Sequence, residues 1–379
     1  MTSHAKKAAL VLAALTVLGV ALIAGSGTAA PTAPTAPRAG GLPPIKHVFT
    51  IVLENKNYED SFGDAPMSPY LGQTLPRKGQ LLTQYHGTGH FSLGNYITMI
   101  SGQSENPETQ SDCMSFNEFK PGAIGPDGQA LGAGCVYPAE VQTVVDQLEA
   151  KGRTWRAYME DMGADRDRDN GVRCAHPPIG ASDPTQSAKP QDQYATRHNP
   201  FVYFHSIIDE GAPCKAHVVN LERFRHDLRE VKTTRNYSFV TPDLCSDGHD
   251  ENCANTAQPG GYGGIDQFLH KWVPRILKSK AYKRNGLLIV IFDESESGAD
   301  SCCFVPNGPN TPMQGIQGQG GGRTGAVLLS PFIAKGSVND QPYNHYDYLH
   351  TIENIFGLDY LGYAARPEVR SFGTDVFGG

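Results

Sequence analysis

Runs of positive charge are missing from this chain. Of its 379 residues, 32 are Lys or Arg and 39 are Asp or Glu, a formal net charge of −7. No stretch of Lys and Arg exceeds a pair such as Lys6-Lys7, so the basic stripe expected of a nucleic-acid binder is absent. No C-x-x-C pair occurs among the eight cysteines, which argues against a structural zinc site. No internal repeat is visible. Beyond the first thirty residues no apolar run reaches the ~20 residues of a membrane span. The stretch HFSLG (90–94) lacks the first glycine of the G-x-S-x-G nucleophile elbow, and no HGGG-type donor motif precedes it. Together these absences exclude the usual serine carboxylesterase pattern.

The N-terminus carries more information. Residues 1–30 have a basic head, an apolar stretch from about Ala8 to Ala24 and small residues before Pro31. That is the pattern of a secretory signal, with cleavage expected near Ala29 or Ala30; an uncleaved anchor is the alternative. Residues 31–44, rich in Pro, Ala and Thr, read as a stiff linker, leaving 45–379 as one folded domain. The even cysteine count fits a secreted chain, retained or not at the cell envelope, with up to four disulfides. Proximity along the chain favours Cys113–Cys135 and Cys174–Cys214, with Cys302-Cys303 pinning a loop.

Six apolar runs read as buried strands: 47–54, 154–160, 216–220, 236–243, 286–294 and 324–331. Helical patterns lie between and after them, at 139–152, 220–232, 264–282 and 346–357. Continuous apolar strands alternating with amphipathic helices predict an α/β fold, a three-layer sandwich with a mostly parallel central sheet. Residues 164–200 and 297–322 read as long loops.

Two of these strands end alike, one in Glu54-Asn55 and the other in Asp293-Glu294. Ligands of open α/β sheets bind beyond the carboxyl ends of the strands, and three carboxylates with an amide oxygen suit a divalent metal. Solvated strand exits are the plainer explanation of either pair alone. A third strand runs into TPDLCSDGHD (241–250). Ser92 precedes a helical pattern, where unpaired backbone N–H groups make an anion site; a capping serine is the plainer reading of that position.

HVFTIVLENKNYEDSFG resembles the opening motif of the bacterial and fungal phosphoesterase family of acid phosphatases and non-haemolytic phospholipases C, within the alkaline-phosphatase-like superfamily. HFSLGNYITMISGQ, WRAYMEDM, RHNPFVYF, TPDLCSDGHD, IVIFDES, GGGRTGAVLLSPFIAKGSV and YNHYDYLHTIENIFGL are similar to its further blocks, in the same order. The family's prolines are replaced here by Phe91 and Gly94.

The resemblance implies that Ser92 is the nucleophile and that Glu54, Asn55, Asp293 and Glu294 bind the metal, be it Ca, Mg, Mn or Zn. It implies substrate contacts from Asn95 and His90 and leaving-group roles for His249 and His345. Arg323 is a candidate to reach a substrate phosphate. The function so implied is a secreted metal-dependent phosphomonoesterase working through a phosphoserine. The alternatives are a phospholipase C on phosphodiester lipids and a catalytically silent envelope or binding protein. The expected partner is a small phosphorylated molecule or lipid headgroup, with no nucleic acid and no membrane span in the mature chain.

Overall fold

Every residue of His47–Leu53 is buried, and this run forms β1 near the middle of the sheet in a computed structural model that describes residues 41–209 and 213–378. The signal segment expected at 1–30 and most of the expected linker lie outside the described residues. The other strands are β2 (Gln80–Leu82), β3 (Lys120–Ile124), β4 (Ala130–Ala133), β5 (Trp155–Met159), β6 (Val218–Asn220), β7 (Tyr237–Thr241), β8 (Gly286–Phe292), β9 (Ala326–Leu329) and β10 (Ser337–Asn339).

Eight strands form one sheet in the order β10-β2-β9-β8-β1-β7-β5-β6, and β3 pairs with β4 in a separate ribbon. β6, β5, β7, β1 and β8 run parallel, whereas β9 runs antiparallel to both its neighbours. The six strands expected from sequence are all present. The additions, β2, β10 and the β3–β4 ribbon, are too short or too exposed to leave a hydrophobic period.

Alternate residues of β1 face opposite sides, and each side is covered. On one, Val48 and Val52 share a core with Tyr96 and Ile100 of α1 (Ser92–Ser101), Leu148 of α2 (Val144–Ala150) and Ile352 of a helix described below. On the other, Phe49 and Ile51 pack with Phe224 of α3 (Glu222–Asp227) and Ile265, Leu269 and Trp272 of α4 (Gly261–Lys278). This is the three-layer sandwich that the alternation of runs predicts.

The first layer is completed by α5 (His345–Phe356). Its start is fixed by a capping box in which Asn344 accepts from the Asp347 N–H and Asp347 accepts from the Asn344 N–H. α1 stops at Gly102, whose φ of +67° and closeness to the Leu361 carbonyl leave no room for a Cβ.

Disulfides join Cys113–Cys135, Cys174–Cys214, Cys245–Cys253 and Cys302–Cys303. The first two are the expected pairs. The two expected loops contain bridges, turns and short 3-10 segments but no α-helix or ladder strand. Among the described residues no helix is long and apolar enough to cross a membrane.

Candidate active site

Parallel pairing sets Leu53 of β1 opposite Phe292 of β8. The next residues, Glu54 and Asp293, therefore leave the sheet side by side at its carboxyl end. The Asp293 N–H donates to the Leu53 carbonyl at 2.9 Å, and the Asn55 N–H donates to Asp293 Oδ1 at 3.1 Å. Asn55 takes a left-handed φ of +52°, which asparagine tolerates better than most residues. On the other side of β1, the loop after β7 supplies Asp247, whose carbonyl accepts from the Glu54 N–H at 2.9 Å.

Ser92 opens α1 but does not cap it. Its Oγ donates to Glu54 Oε2 at 2.9 Å, and Tyr96, one turn on, donates to Glu54 Oε1 at 2.6 Å. Both side chains reach the same carboxylate because i and i+4 share a helix face. The second backbone N–H of this helix is not free, since Leu93 donates to Asp112 Oδ1 at 3.0 Å.

His198 ends the short turn Thr196–His198 and stacks on the Tyr96 ring. Its Nδ1 pairs with Asp247 Oδ2 at 3.0 Å. Its Nε2 lies 3.4 Å from Glu54 Oε1 without a hydrogen bond. Glu54, His198 and Asp247 each bring one ligand atom within 4.8 Å of the others.

Burial decides the electrostatics. It raises Glu54 well above the usual carboxylate range, with the charges of Asp293 and Asp247 adding to the effect. Asp247 is raised in the same way, and Asp293 is pushed up to about 6. Burial, with Arg197 and His249 nearby, holds His198 well below its ordinary value, so it is a neutral imidazole.

His198 Nε2 and Asp293 Oδ2 are both buried without a hydrogen-bond partner. Unpaired buried acceptors are rare and costly. A divalent cation would satisfy the cluster, and a neutral imidazole with carboxylates is a fitting donor set. The residues present therefore fit a metal.

Above Ser92 opens a cavity of about 350 Å³, whose wall includes Asn55, Lys56, His90, Phe91, Asp112 and His249. His90 faces the Glu294 carboxylate through Nδ1 and the Gly298 carbonyl through Nε2 at 2.7 Å. Burial and the Asp293 charge raise Glu294 well above its usual range. Gly94, where the family has proline, leaves room for the buried Glu105 carboxyl; a Cβ there would lie 2.3 Å from its Oε1.

Of the ten expected site residues, Ser92, Glu54, Asn55, Asp293, Glu294, His90 and His249 converge on this cavity or on the cluster beneath it. Three do not face the cavity. Asn95 is fully buried and uses its amide on the Gly89 and Phe91 carbonyls, while its oxygen accepts from Thr88 and Gly89. It shapes the turn before Ser92 and has no donor left for a substrate.

His345 lies beneath Asp293. Its Nε2 meets the Asp293 carbonyl at 2.5 Å and its Nδ1 meets the Tyr85 hydroxyl at 2.9 Å. Burial lowers it to about 4, so it is a neutral prop for the metal-side loop. Arg323 stacks on Tyr58 and donates to the Thr83 carbonyl and to Glu59. Its charge is spent away from the cavity.

The cluster that fits a metal differs from the expected set too. Glu54 remains, with Asp293 beside it, Asn55 is at the rim and Glu294 is turned to His90. His198 and Asp247 were missed. Asp247 sits in the third strand exit, TPDLCSDGHD, where only His249 was singled out. His198 lies in RHNPF, an irregular turn with no periodicity to mark it.

The Phosphoesterase family model matches residues 73–359 of the chain. A probable acid phosphatase from Kluyveromyces lactis is 25% identical over 325 residues, covering 84% of this chain and 60% of the yeast protein. A phosphatidylinositol-3-phosphatase from Mycobacterium tuberculosis is 23% identical over 374 residues, covering 97% of this chain and 94% of that protein. A protein in the alkaline phosphatase superfamily from Vibrio parahaemolyticus aligns with a TM-score of 0.48 and 14% identity, covering 84% of this chain and 67% of the other. The chain thus spans about three-fifths of the length of the yeast phosphatase that it matches.

Proposed function

The chain belongs to the Phosphoesterase family, and from that premise we propose that it is a secreted, metal-dependent phosphomonoesterase in which Ser92 carries the phosphoryl group. The observation that carries this reading is the Ser92 Oγ–H donating to Glu54 Oε2 at 2.9 Å, over buried acceptors that lack partners. Four disulfides support an oxidising, extracytoplasmic destination.

Glu54, His198 and Asp247 would hold the cation, with Asp293 beside them. Bound there, it would neutralise charge on the phosphate oxygens and lower the hydroxyl pKa. The chain's own groups do the rest. Ser92 Oγ forms a bond to phosphorus, and its proton passes to the Glu54 carboxylate. The bond from phosphorus to the alcohol oxygen breaks as that oxygen takes a proton from solvent in the open cavity, since His249 holds Nδ1 against Asp250 Oδ1 at 2.7 Å and its Nε2 accepts from the Arg197 guanidinium at 3.2 Å. Water then attacks the phosphoserine and releases its proton to solvent, the bond from phosphorus to Oγ breaks, Oγ takes back the proton held by Glu54, and phosphate leaves.

Rapid acid quench during turnover of a chromogenic phosphate monoester, followed by peptide mass spectrometry, tests this. A phosphate on Ser92, and a loss of at least about 1000-fold in kcat/KM for Ser92→Ala, are expected. A phosphate on another residue, or turnover unchanged in Ser92→Ala, would refute the reading. A phosphodiester run in parallel reports whether monoester turnover dominates, as expected.

A further inference from the structure

Phe91 is 48% exposed although both neighbours in the chain are held fast. His90 is fixed by Glu294 and Gly298, Ser92 by Glu54, and the Phe91 carbonyl accepts from Asn95 at 3.2 Å. An aromatic ring carried on so rigid a turn, at the wall of the cavity that holds Ser92, is a preformed flat contact. Beside it, Gly315 pairs with His90, and the following Ile316 is 45% exposed. Gln317 then returns to the cavity wall.

The charged groups around this ring are unbalanced. Glu251, Glu296 and Asp112 line the cavity with Glu294, and the one lysine there, Lys56, is buried and paired with Glu251 at 2.8 Å. Glu296 is exposed and has no ion-pair partner among the described residues. A phosphoryl group reaching Ser92 fills only part of 350 Å³, and Phe91 and these carboxylates line the same cavity.

Resting on the phosphomonoesterase reading, we propose that this outer part is a leaving-group subsite that selects phosphate monoesters whose leaving group is an uncharged, flat apolar body and rejects leaving groups carrying further negative charge. Phe91 supplies the contact surface, and Glu296 supplies the repulsion. Like charges at close quarters cost more in a partly desolvated cleft than in water.

The test compares kcat/KM for benzyl phosphate, glycerol 1-phosphate and 3-phosphoglycerate on the metal-loaded full-length protein. All three release a primary alkoxide, so intrinsic reactivity is matched. We expect benzyl phosphate to exceed glycerol 1-phosphate about tenfold. We expect 3-phosphoglycerate to fall about tenfold below glycerol 1-phosphate at low ionic strength, a gap that narrows with salt.

Phe91→Ala should collapse the benzyl-to-glycerol ratio, and Glu296→Lys should close the 3-phosphoglycerate gap while Glu296→Gln closes it in part. Equal turnover of the three substrates, or ratios unmoved by these changes, overturns the subsite and leaves the phosphomonoesterase reading standing. Turnover of none of them overturns that reading and the subsite with it.

Discussion

Two cavities beside the sheet differ in character, and the larger of the pair is the one without the buried carboxylate cluster. Beside the edge strand β6 lies a space of about 660 Å³ lined by Arg156, Arg166, Arg173 and Arg223. Over α1 lies one of about 350 Å³ whose wall carries four acids against a single lysine. In the first, two of the four guanidinium groups are answered from within, and Arg166 and Arg173 are exposed to solvent. Arg156 pairs with Asp227 and donates to the Ala216 carbonyl at 3.0 Å, leaving only its Nε without a partner, and Arg223 meets the same aspartate at 3.0 Å. Beneath the second, buried carboxylates press on one another, and a neutral histidine turns an unpaired Nε2 toward them. Volume does not mark chemistry here; unanswered charge does.

The contrast sharpens first through metal binding. His198→Ala should weaken divalent-cation affinity on the order of 100-fold by calorimetry, because it removes a ligand from a closed cluster. An affinity unchanged from wild type would move the metal elsewhere and erase the distinction. On the other side, Arg156→Met should lower unfolding free energy by about 3 kcal/mol in denaturant titration, since it leaves a buried aspartate short of its main partner. That loss should come without a change in catalysis.

A smaller effect separates the two regions by pH. Burial raises Asp293 to about 6, so between about pH 4 and 6 the metal-free native state keeps a proton that the unfolded chain has released. Stability of the chelated protein should therefore fall as pH rises through that window. His345, held near 4 by burial, has the opposite slope, and it cancels when wild type is compared with Asp293→Asn. At pH 7 the variant should be the more stable chelated protein, by on the order of 2 kcal/mol, and bound metal should reverse the order. Smallest of all, Arg166→Ala with Arg173→Ala should change monoester turnover less than about twofold. A large loss there would break the contrast from the arginine side.

Much of this was legible before any coordinate. The six long strands and the layering follow from apolar runs that bury both faces. Glu54 and Asp293 were visible because strand ends are where a parallel sheet leaves polar groups unpaired. Ser92 was visible because a hydroxyl precedes an apolar helix. What the chain hides is the direction of side chains in irregular segments. Asn95 and His345 sit on helical patterns that say nothing of whether a polar side chain turns toward the cavity or the core. Arg323 precedes a strand on which either contact is open. His198 and Asp247 lie in turns whose geometry depends on partners far along the chain. Even the glycine at 94 makes sense only beside Glu105, which no local rule connects to it.

β1 occupies the middle of the sheet, between two strands that come far later in the chain. Asn55 and the carboxylate that accepts its N–H are 238 residues apart. At a synthesis rate of about 5–20 residues per second, β1 emerges tens of seconds before either flanking strand exists. For that interval Glu54 has no neighbouring strand exit and the apolar run beside it has no sheet to enter. Such long-range pairing is slow and exposes the chain to aggregation. The carboxylate cluster is thus a late event in the life of each molecule, complete only when the last central strand brings Asp293. A chain that stops short of β8 lacks that carboxylate, and helpers that shield β1 in the interval would bear on the yield of active protein.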